Sequence, residues 1–424
     1  MKLKYILLLA LIFRLLMSPF ASHIDVFNHL DWGEKFFSYT PKVFYSPDAN
    51  VWDFTWPNQP PGAIYIFAAS FLIYKLLFSV LWFFNSSFSF FPSLLVTFSE
   101  KYLYIILVKL PAILSDIGIA ILIYKMLPKK YAKLGAILFL LNPVSWYNSA
   151  VWGQTDATIN FFILFSFYLL FKKKLNLSVL AFAISLYIKL SLVIFAPIYF
   201  IYFYKKYSLK NLIKPILVTL VFLILTTLPF LNKYTPDPVS FLQYVYLKKV
   251  LVDQMQVITA NAFNFWGALK GLELQSHDQM FFVFSYKAWG YILASLAILP
   301  ALFRIYKRPT LENTIWSLAI ISFSVFMLFT NMHERYIYPL FPYLTILVAQ
   351  NRKLLIIYIS ISLITLLNMY NLWWVPEISF LNLILENILI LRLLSFVNLG
   401  LFIYFYYFWL KKKTLQLGKE YLII

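Results

Sequence analysis

Three short polar groups interrupt an otherwise apolar chain, and each mixes residue types that can handle a hydroxyl or an anion. The first contains His23, Asp25, Asn28, His29, Asp31 and Glu34, directly after an apolar run, and is followed by Trp56-Pro57-Asn58-Gln59-Pro60-Pro61-Gly62 leading into the next apolar run. A carboxylate fixed at a helix end beside a membrane is wet on one side and rigid on the other, which suits a general base. Asp25 lies nearest the apolar run and Asp31 is the second candidate, although Asp31 and Glu34 fit equally the wet face of an interfacial amphipathic helix. His23 or His29 with Asp25 would also suit a metal, but four His and no Cys in the whole chain supply few ligands for a closed site.

The second group is Asn142-Pro143 followed by Trp152-Gly153-Gln154-Thr155-Asp156, with Trp146 and Tyr147 nearby. Unpaired polar groups cost several kcal/mol in hydrocarbon, so Gln154 and Asp156 between two apolar runs point to a site or to a snorkelling interfacial loop. Trp152 beside Gln154 and Asp156 offers an aromatic platform next to hydrogen-bonding groups, the means by which a sugar ring is stacked and its hydroxyls held.

Asn331-Met332-His333-Glu334-Arg335-Tyr336 forms the third group. The fork of donors on Arg335, together with Lys189, matches the oxygens of a phosphate and would clamp an anionic head group at the membrane surface. The bland alternative is an Arg335 ion pair with Glu334 or an Asp that only packs loops. His333-Glu334 begins a zinc-type His-Glu-x-x-His pattern, but Ile337 occupies the place of the second His, so no metal is expected. Asp116 lies well inside an apolar run and either pairs with a buried base or lines a cavity.

The elements that must carry these groups are membrane helices. The chain is 62% hydrophobic, 21% aromatic and 12% charged, with mean hydropathy +0.77, a composition that excludes a soluble globule. Its formal charge of +19 is spread in short clusters between apolar runs, the pattern of cytoplasmic loops and not of a nucleic-acid footprint. Without Cys there are no disulfides, thiolate catalysis or Cys metal sites. The N-terminal Lys2 and Lys4 precede an apolar run without a small-residue cleavage site, so that run is read as the first membrane helix.

At about 20 apolar residues per pass, spans are expected near 4–21, 62–84, 105–126, 132–150, 157–171, 212–231, 281–303, 312–330, 337–350, 353–371 and 380–410. Residues 175–204 read as a broken hairpin of two short helices with Lys189 near its tip and Pro197 in its second arm. Placing the clusters Lys129/Lys130/Lys133, Lys172 to Lys174, Lys205/Lys206/Lys210, Arg304/Lys307/Arg308, Arg352/Lys353 and Lys411 to Lys413 in the cytoplasm works only if 86–104 also crosses. The expected fold is therefore all-α, a polytopic bundle of about 13–14 helices, with outer loops 22–61, 151–156, 232–280, 331–336 and 372–379 and interfacial helices in the first loop.

The order of these motifs resembles the GT-C superfamily of integral-membrane glycosyltransferases, in particular bacterial relatives of the second mannosyltransferase of GPI-anchor synthesis. Carrying the resemblance are Asp25, Trp56 to Gly62, Lys109 to Asp116, Asn142-Pro143 with Trp152 to Asp156, Lys189 followed by Pro197, and His333 to Tyr336 with Pro339. It implies a catalytic module over 1–350 followed by C-terminal membrane helices over 351–424. It further implies a polyprenyl-phosphate-linked sugar donor, mannose or another hexose, used on the extracytoplasmic side with inversion, no cofactor, and a lipid, glycan or protein acceptor. On this reading Asp25 deprotonates the acceptor, Arg335, Lys189 and His333 face the departing phosphate, and Trp152, Gln154 and Asp156 hold sugar or acceptor. Relatives often place two adjacent acids in the first loop, whereas here Val26 follows Asp25 and Asp31 stands six positions on.

A transporter or lipid flippase is the main alternative, since many helices and a broken hairpin also serve alternating access. Transporters, however, place charges near the midplane and often carry internal repeats, and neither feature is evident here. A polymerase using a polyprenyl-diphosphate donor would want an Arg-rich outer loop, and residues 232–280 contain Lys but no Arg.

Overall fold

The computed structural model describes residues 2–251 and 255–411; Lys412 and Lys413 of the C-terminal basic cluster lie outside the described residues. The fold is an all-α polytopic bundle whose one sheet among the described residues is a two-stranded hairpin, Met280–Phe281 with Phe284–Ser285. Seven helices are long and apolar enough to cross a bilayer, and the bent pair Lys129–Leu141 and Pro143–Trp152 makes an eighth. Their outward faces carry large exposed apolar side chains, for example Leu217, Val221 and Leu225 on one helix and Leu296, Leu299 and Phe303 on another. Such continuous apolar surface is stable against lipid and not against water.

We number the helices that position the site. Leu3–Met17 is α1, Ile24–Ser38 is α2, Pro61–Ser87 is α3 and the unbroken run Ser93–Met126 is α4. Lys129–Leu141 (α5) meets Pro143–Trp152 (α6) at an angle of 50°. The break falls at Pro143, which has no N–H to continue the ladder. Asn142 serves the broken backbone there: its Oδ1 accepts from Val144 N at 2.9 Å and its Nδ2 donates to Ser362 Oγ at 2.9 Å.

Asp156–Phe171 (α7), Leu175–Ile188 (α8) and Ala196–Lys206 (α9) follow. Helices α8 and α9 are the two arms of the broken hairpin expected over 175–204: Ser178 Oγ meets Tyr199 Oη at 2.7 Å across it, and Lys189 stands at the end of the first arm. Leu209–Phe230 is α10. The remaining site helices are Tyr286–Lys307 (α11), Leu311–Leu328 (α12) and Leu340–Gln350 (α13).

The expected spans 4–21, 157–171 and 337–350 are helices of 15, 16 and 11 residues, shorter than the membrane-length set, and the structure departs from expectation further in three places. Residues 86–104 are not a separate span, because helix α4 runs continuously through them from Ser93. Its Tyr104 hydroxyl donates to Leu30 O of α2 at 2.8 Å, while Lys109 reaches the end of α1 and Asp116 meets Arg14 further down. Residues 93–103 thus extend about 16 Å past α2, paired with α3 through Tyr74 on Tyr104 and Ser93 on Asn85. The segments 62–84 and 86–104 accordingly pair as an apolar hairpin, whose first arm, α3, is one of the seven membrane-length helices. Next, the span expected from 281 begins at Tyr286, behind the β hairpin. Finally, the segment 380–410 is divided into Ser379–Leu385 and Ile388–Lys411.

Candidate active site

Helix α2 lies across the end of the bundle, and His23 caps it: His23 Nδ1 accepts from Asp25 N at 3.3 Å. The cap puts Asp25 in the first turn, where a carboxylate is favoured by the helix dipole. The segment facing it is prepared by two backbone features. Residues 147–152 form a π-helical turn and Gly153 then takes φ +88°, a conformation glycine adopts without the penalty of a Cβ. That reversal releases Gln154 toward Asp25 and starts α7 at Asp156.

Lys109 supports the junction from below. Its ammonium donates to Ser18 O at 2.8 Å, Val151 O at 3.0 Å and Ala150 O at 3.1 Å, and also to Ala21 O. The end of α1 and the π turn, far apart in sequence, are thereby tied to α4. A buried Lys without a carboxylate partner is tolerated because the carbonyls satisfy its donors.

Three strands of chemistry meet above this support. Gln154 Nε2 donates to Asp25 Oδ2 at 2.5 Å. Arg335, between α12 and α13, reaches the same oxygen with Nη2 at 3.5 Å, Glu334 Oε1 with Nη1 at 2.7 Å, and stands with Nε 3.8 Å from Asp156 Oδ2. Lys189 donates to Asp156 Oδ1 at 2.8 Å. Two cations therefore face three carboxylates, and this end of the site is net negative. Burial alone would raise the Asp25 carboxyl, but contact with His23 and the charge of Arg335 outweigh it and hold the group well below the usual carboxylate range. Burial, with Arg335 and Lys189 nearby, pushes His333 down to about 3, and burial takes His29 to about 4, so both imidazoles are neutral near pH 7.

Asp25, Gln154, Asp156, Lys189, His333, Arg335 and Tyr336 all line one cavity of about 590 Å³. Sequence reasoning thus placed together residues that span more than 300 positions of the chain. His29, Gln59 and Asn160 also line it; sequence reasoning weighs His29 only as a metal partner of Asp25 and Gln59 only as part of the Trp56 to Gly62 motif, and leaves Asn160 unremarked. Each leaves a buried polar atom unpartnered, His29 Nδ1, Gln59 Oε1 and Asn160 Oδ1, as a wall built for a polyhydroxylated ligand would. The one sequence signal for Asn160 is its spacing of one helical turn from Asp156.

Four expected residues lie elsewhere. Trp152 is 2% exposed and off the cavity wall; its ring packs on His23 at 4.6 Å and on Trp373 at 4.9 Å, so it backs Asp25 and Arg335 and offers no open face to a sugar. Glu334 is buried behind Arg335. Asp31 turns away into the first loop, where Asp53 N donates to it at 3.2 Å and Lys35 stands 3.7 Å off. Asp116 takes the first of its two alternatives: Arg14 Nε donates to it at 3.2 Å, Ser149 Oγ at 2.6 Å and Tyr338 Oη at 2.6 Å, all buried beneath the site. The partner Arg14 went unremarked because a single Arg within an apolar run reads equally as an interfacial residue.

No family model matches the chain, and no curated protein is similar to it in sequence. Among solved structures, ArnT from Cupriavidus metallidurans bound to undecaprenyl phosphate superposes with a TM-score of 0.49 at 14% identity, covering 94% of this chain and 74% of that one.

Proposed function

We propose that the protein is a membrane glycosyltransferase of the GT-C type, moving a sugar from a polyprenyl-phosphate donor to an acceptor hydroxyl, with its site on the extracytoplasmic side. The observation that carries this reading is the asymmetry of Asp25. Its contacts with Gln154 and Arg335 both fall on Oδ2, and among the described residues none falls on Oδ1 of this carboxylate, which lines a polar cavity. One oxygen fixes the group and the other takes the proton.

The step balances as a single displacement. The acceptor O–H proton passes to Asp25, the acceptor oxygen bonds to the anomeric carbon, and the bond from that carbon to the phosphate oxygen breaks, its electron pair leaving with the lipid phosphate. Attack opposite the leaving group inverts the anomeric centre. Because Asp25 is a weak base, proton transfer runs with bond formation and not ahead of it. His29, Gln59 and Asn160 are assigned to the sugar or acceptor hydroxyls. The choice of mannose rests on the sequence resemblance alone.

The basic ends of the helices gather on the face away from the site, which supports an extracytoplasmic site through the positive-inside rule. The grouping of Asp25, Asp156, Lys189 and Arg335 at one end of the bundle, and not at mid-depth, favours chemistry on a lipid head group over transport. The test is transfer of labelled sugar from a panel of polyprenyl-phosphate sugars by purified protein. Release of polyprenyl phosphate by wild type and its loss in Asp25→Asn supports the reading; no consumption of any donor by folded protein overturns it.

A further inference from the structure

The two cations at the Asp25 end already face carboxylates, although Arg335 Nε makes no hydrogen bond. Arg335 is shared among Asp25, Asp156 and Glu334, and Lys189 is held by Asp156. An incoming phosphate would have to break these pairs while meeting a net negative environment, which is unfavourable inside a low-dielectric site. The same cavity extends to a second end, built by the start of α11, the loop around His277 and the end of α12, where the lining carries Lys287 and no carboxylate among the described residues.

Lys287 lines this second end from the first turn of α11, and among the described residues no carboxylate pairs with it. Next to it stands His277, whose backbone oxygen accepts from Lys287 N at 2.9 Å. The His277 ring is nearly buried, with Nδ1 3.4 Å from Thr330 Oγ1; its Nε2 makes no hydrogen bond, and only the exposed Asp278 carboxylate comes within 3.7 Å. Asn331 Oδ1 is a further buried polar atom without a partner on this wall. One helical turn beyond Lys287, Tyr291 is 55% exposed, and Val193 on the facing segment is 44% exposed. A cation that no carboxylate pairs with among the described residues, with a polar wall behind and an apolar exit in front, matches a phosphate attached to a hydrocarbon chain.

We propose that the lipid phosphate of the donor, and of the product that leaves, is held at the Lys287–His277 end of the cavity, with its chain passing between Tyr291 and Val193. The assignment rests on the glycosyltransferase reading above. Arg335 and Lys189 then serve to fix the carboxylates at the sugar end. The anomeric carbon then lies between the two ends, its bond to the phosphate oxygen pointing to Lys287 and the acceptor hydroxyl entering from the Asp25 side.

The test is binding of a polyprenyl phosphate, the neutral polyprenol of the same length, and inorganic phosphate to wild type, Lys287→Ala, Lys287→Arg, His277→Gln and Lys189→Ala. Wild type should bind the lipid phosphate more tightly than the polyprenol. Lys287→Ala should weaken binding of the lipid phosphate about tenfold or more, as expected for loss of a charge-assisted contact, and should leave polyprenol binding unchanged. Lys287→Arg should retain most of the affinity, and His277→Gln should lose a smaller part of it. Phosphate competing as well as the lipid would show a site for the free anion and overturn the proposal. So would a Lys287→Ala variant of undiminished affinity beside a Lys189→Ala variant that has lost it, which would return the phosphate to the sugar end. Wild type with no affinity for any polyprenyl phosphate would instead sink the glycosyltransferase reading itself.

Discussion

Gln154 Nε2 and Asp25 Oδ2, from residues 129 positions apart in the chain, meet at 2.5 Å. The contact depends on a chain of local causes: the His23 cap that begins α2, the π turn before Gly153, and Lys109 beneath both. It leaves Asp25 with one oxygen restrained and the other without a partner among the described residues, and most of what the site is expected to do follows from that division.

Asp25 and Asp31 separate by role. Asp25→Asn keeps the size of the side chain but removes the proton acceptor, and turnover should fall by about 10²–10⁴-fold, the usual worth of a positioned general base. Asp31 is off the cavity wall and bonded to the Asp53 backbone, so Asp31→Asn should stay within a few-fold of wild type. Initial rates of both variants at saturating donor decide the matter. An active Asp25→Asn with an inactive Asp31→Asn would reverse the assignment.

Asp25, His29 and His333 should give the rate no inflection where histidine enzymes change. Asp25 is held below the usual carboxylate range and so stays charged as the medium is acidified, while His29 near 4 and His333 near 3 are already neutral. Between about pH 5 and 8 no titration of these groups intervenes. A kcat/KM profile with an inflection near the ordinary histidine value, abolished by His333→Asn, would contradict this assignment.

Stability should vary in that range for a different reason. Burial raises Asp31 to about 6, above the value of about 3.9 in an unfolded chain. The folded state therefore holds the proton over the window between the two values, and stability falls as pH rises through it. Thermal melts of wild type from pH 4 to 7, at the lower and upper sides of about that window, should show this slope, and Asp31→Asn should flatten it. A slope unchanged in the variant would place its origin elsewhere.

Gly153 is a point where the backbone leaves no choice. A Cβ built there meets Val26 Cγ2 at 2.6 Å and Lys109 Cε at 3.0 Å, and φ is +88°. Gly153→Ala should cost about 1–3 kcal/mol in backbone strain alone. Because Val26 is next to Asp25 and Gln154 follows the glycine, the larger effect should be on catalysis. A displacement of about 1 Å between reacting groups costs about 10²-fold, so kcat should fall more than KM rises. Equal activity in the alanine variant would show that the loop adapts.

How far the fold could be read from sequence depended on the element. The spans at 212–231 and 312–330 were legible because long apolar runs bounded by basic residues have few other stable forms. The continuity of Ser93 to Tyr104 with α4 was not, since Pro92, Glu100 and Lys101 interrupt that apolar run in sequence. At the site, Asp25, Gln154, Asp156, Lys189 and Arg335 were recoverable because polar residues in apolar surroundings are few. Trp152 was misjudged in function for the opposite reason: an aromatic ring beside polar groups looks the same in sequence whether it faces the ligand or, as here, packs behind His23 and Trp373. Lys287 carried no signal, because one lysine at a helix start is unremarkable until its place on the cavity wall is seen in three dimensions.

The buried pair beneath the site separates support from ligand binding. Arg14 and Asp116 are both fully buried at 3.2 Å, with Asp116 also bonded to Ser149 and Tyr338. Removing one partner leaves a charge in a dry interior, so Arg14→Met or Asp116→Leu alone should cost about 3–5 kcal/mol. The double variant should recover much of that loss, because no unpaired charge is left. Recovery will be incomplete, since Leu140 O and Ser145 Oγ lose their Arg14 donors. Melting temperatures of the four proteins in detergent give the coupling directly. If Asp116 instead held substrate, the double variant would regain stability and still show a raised KM; a support role predicts that KM recovers with the fold.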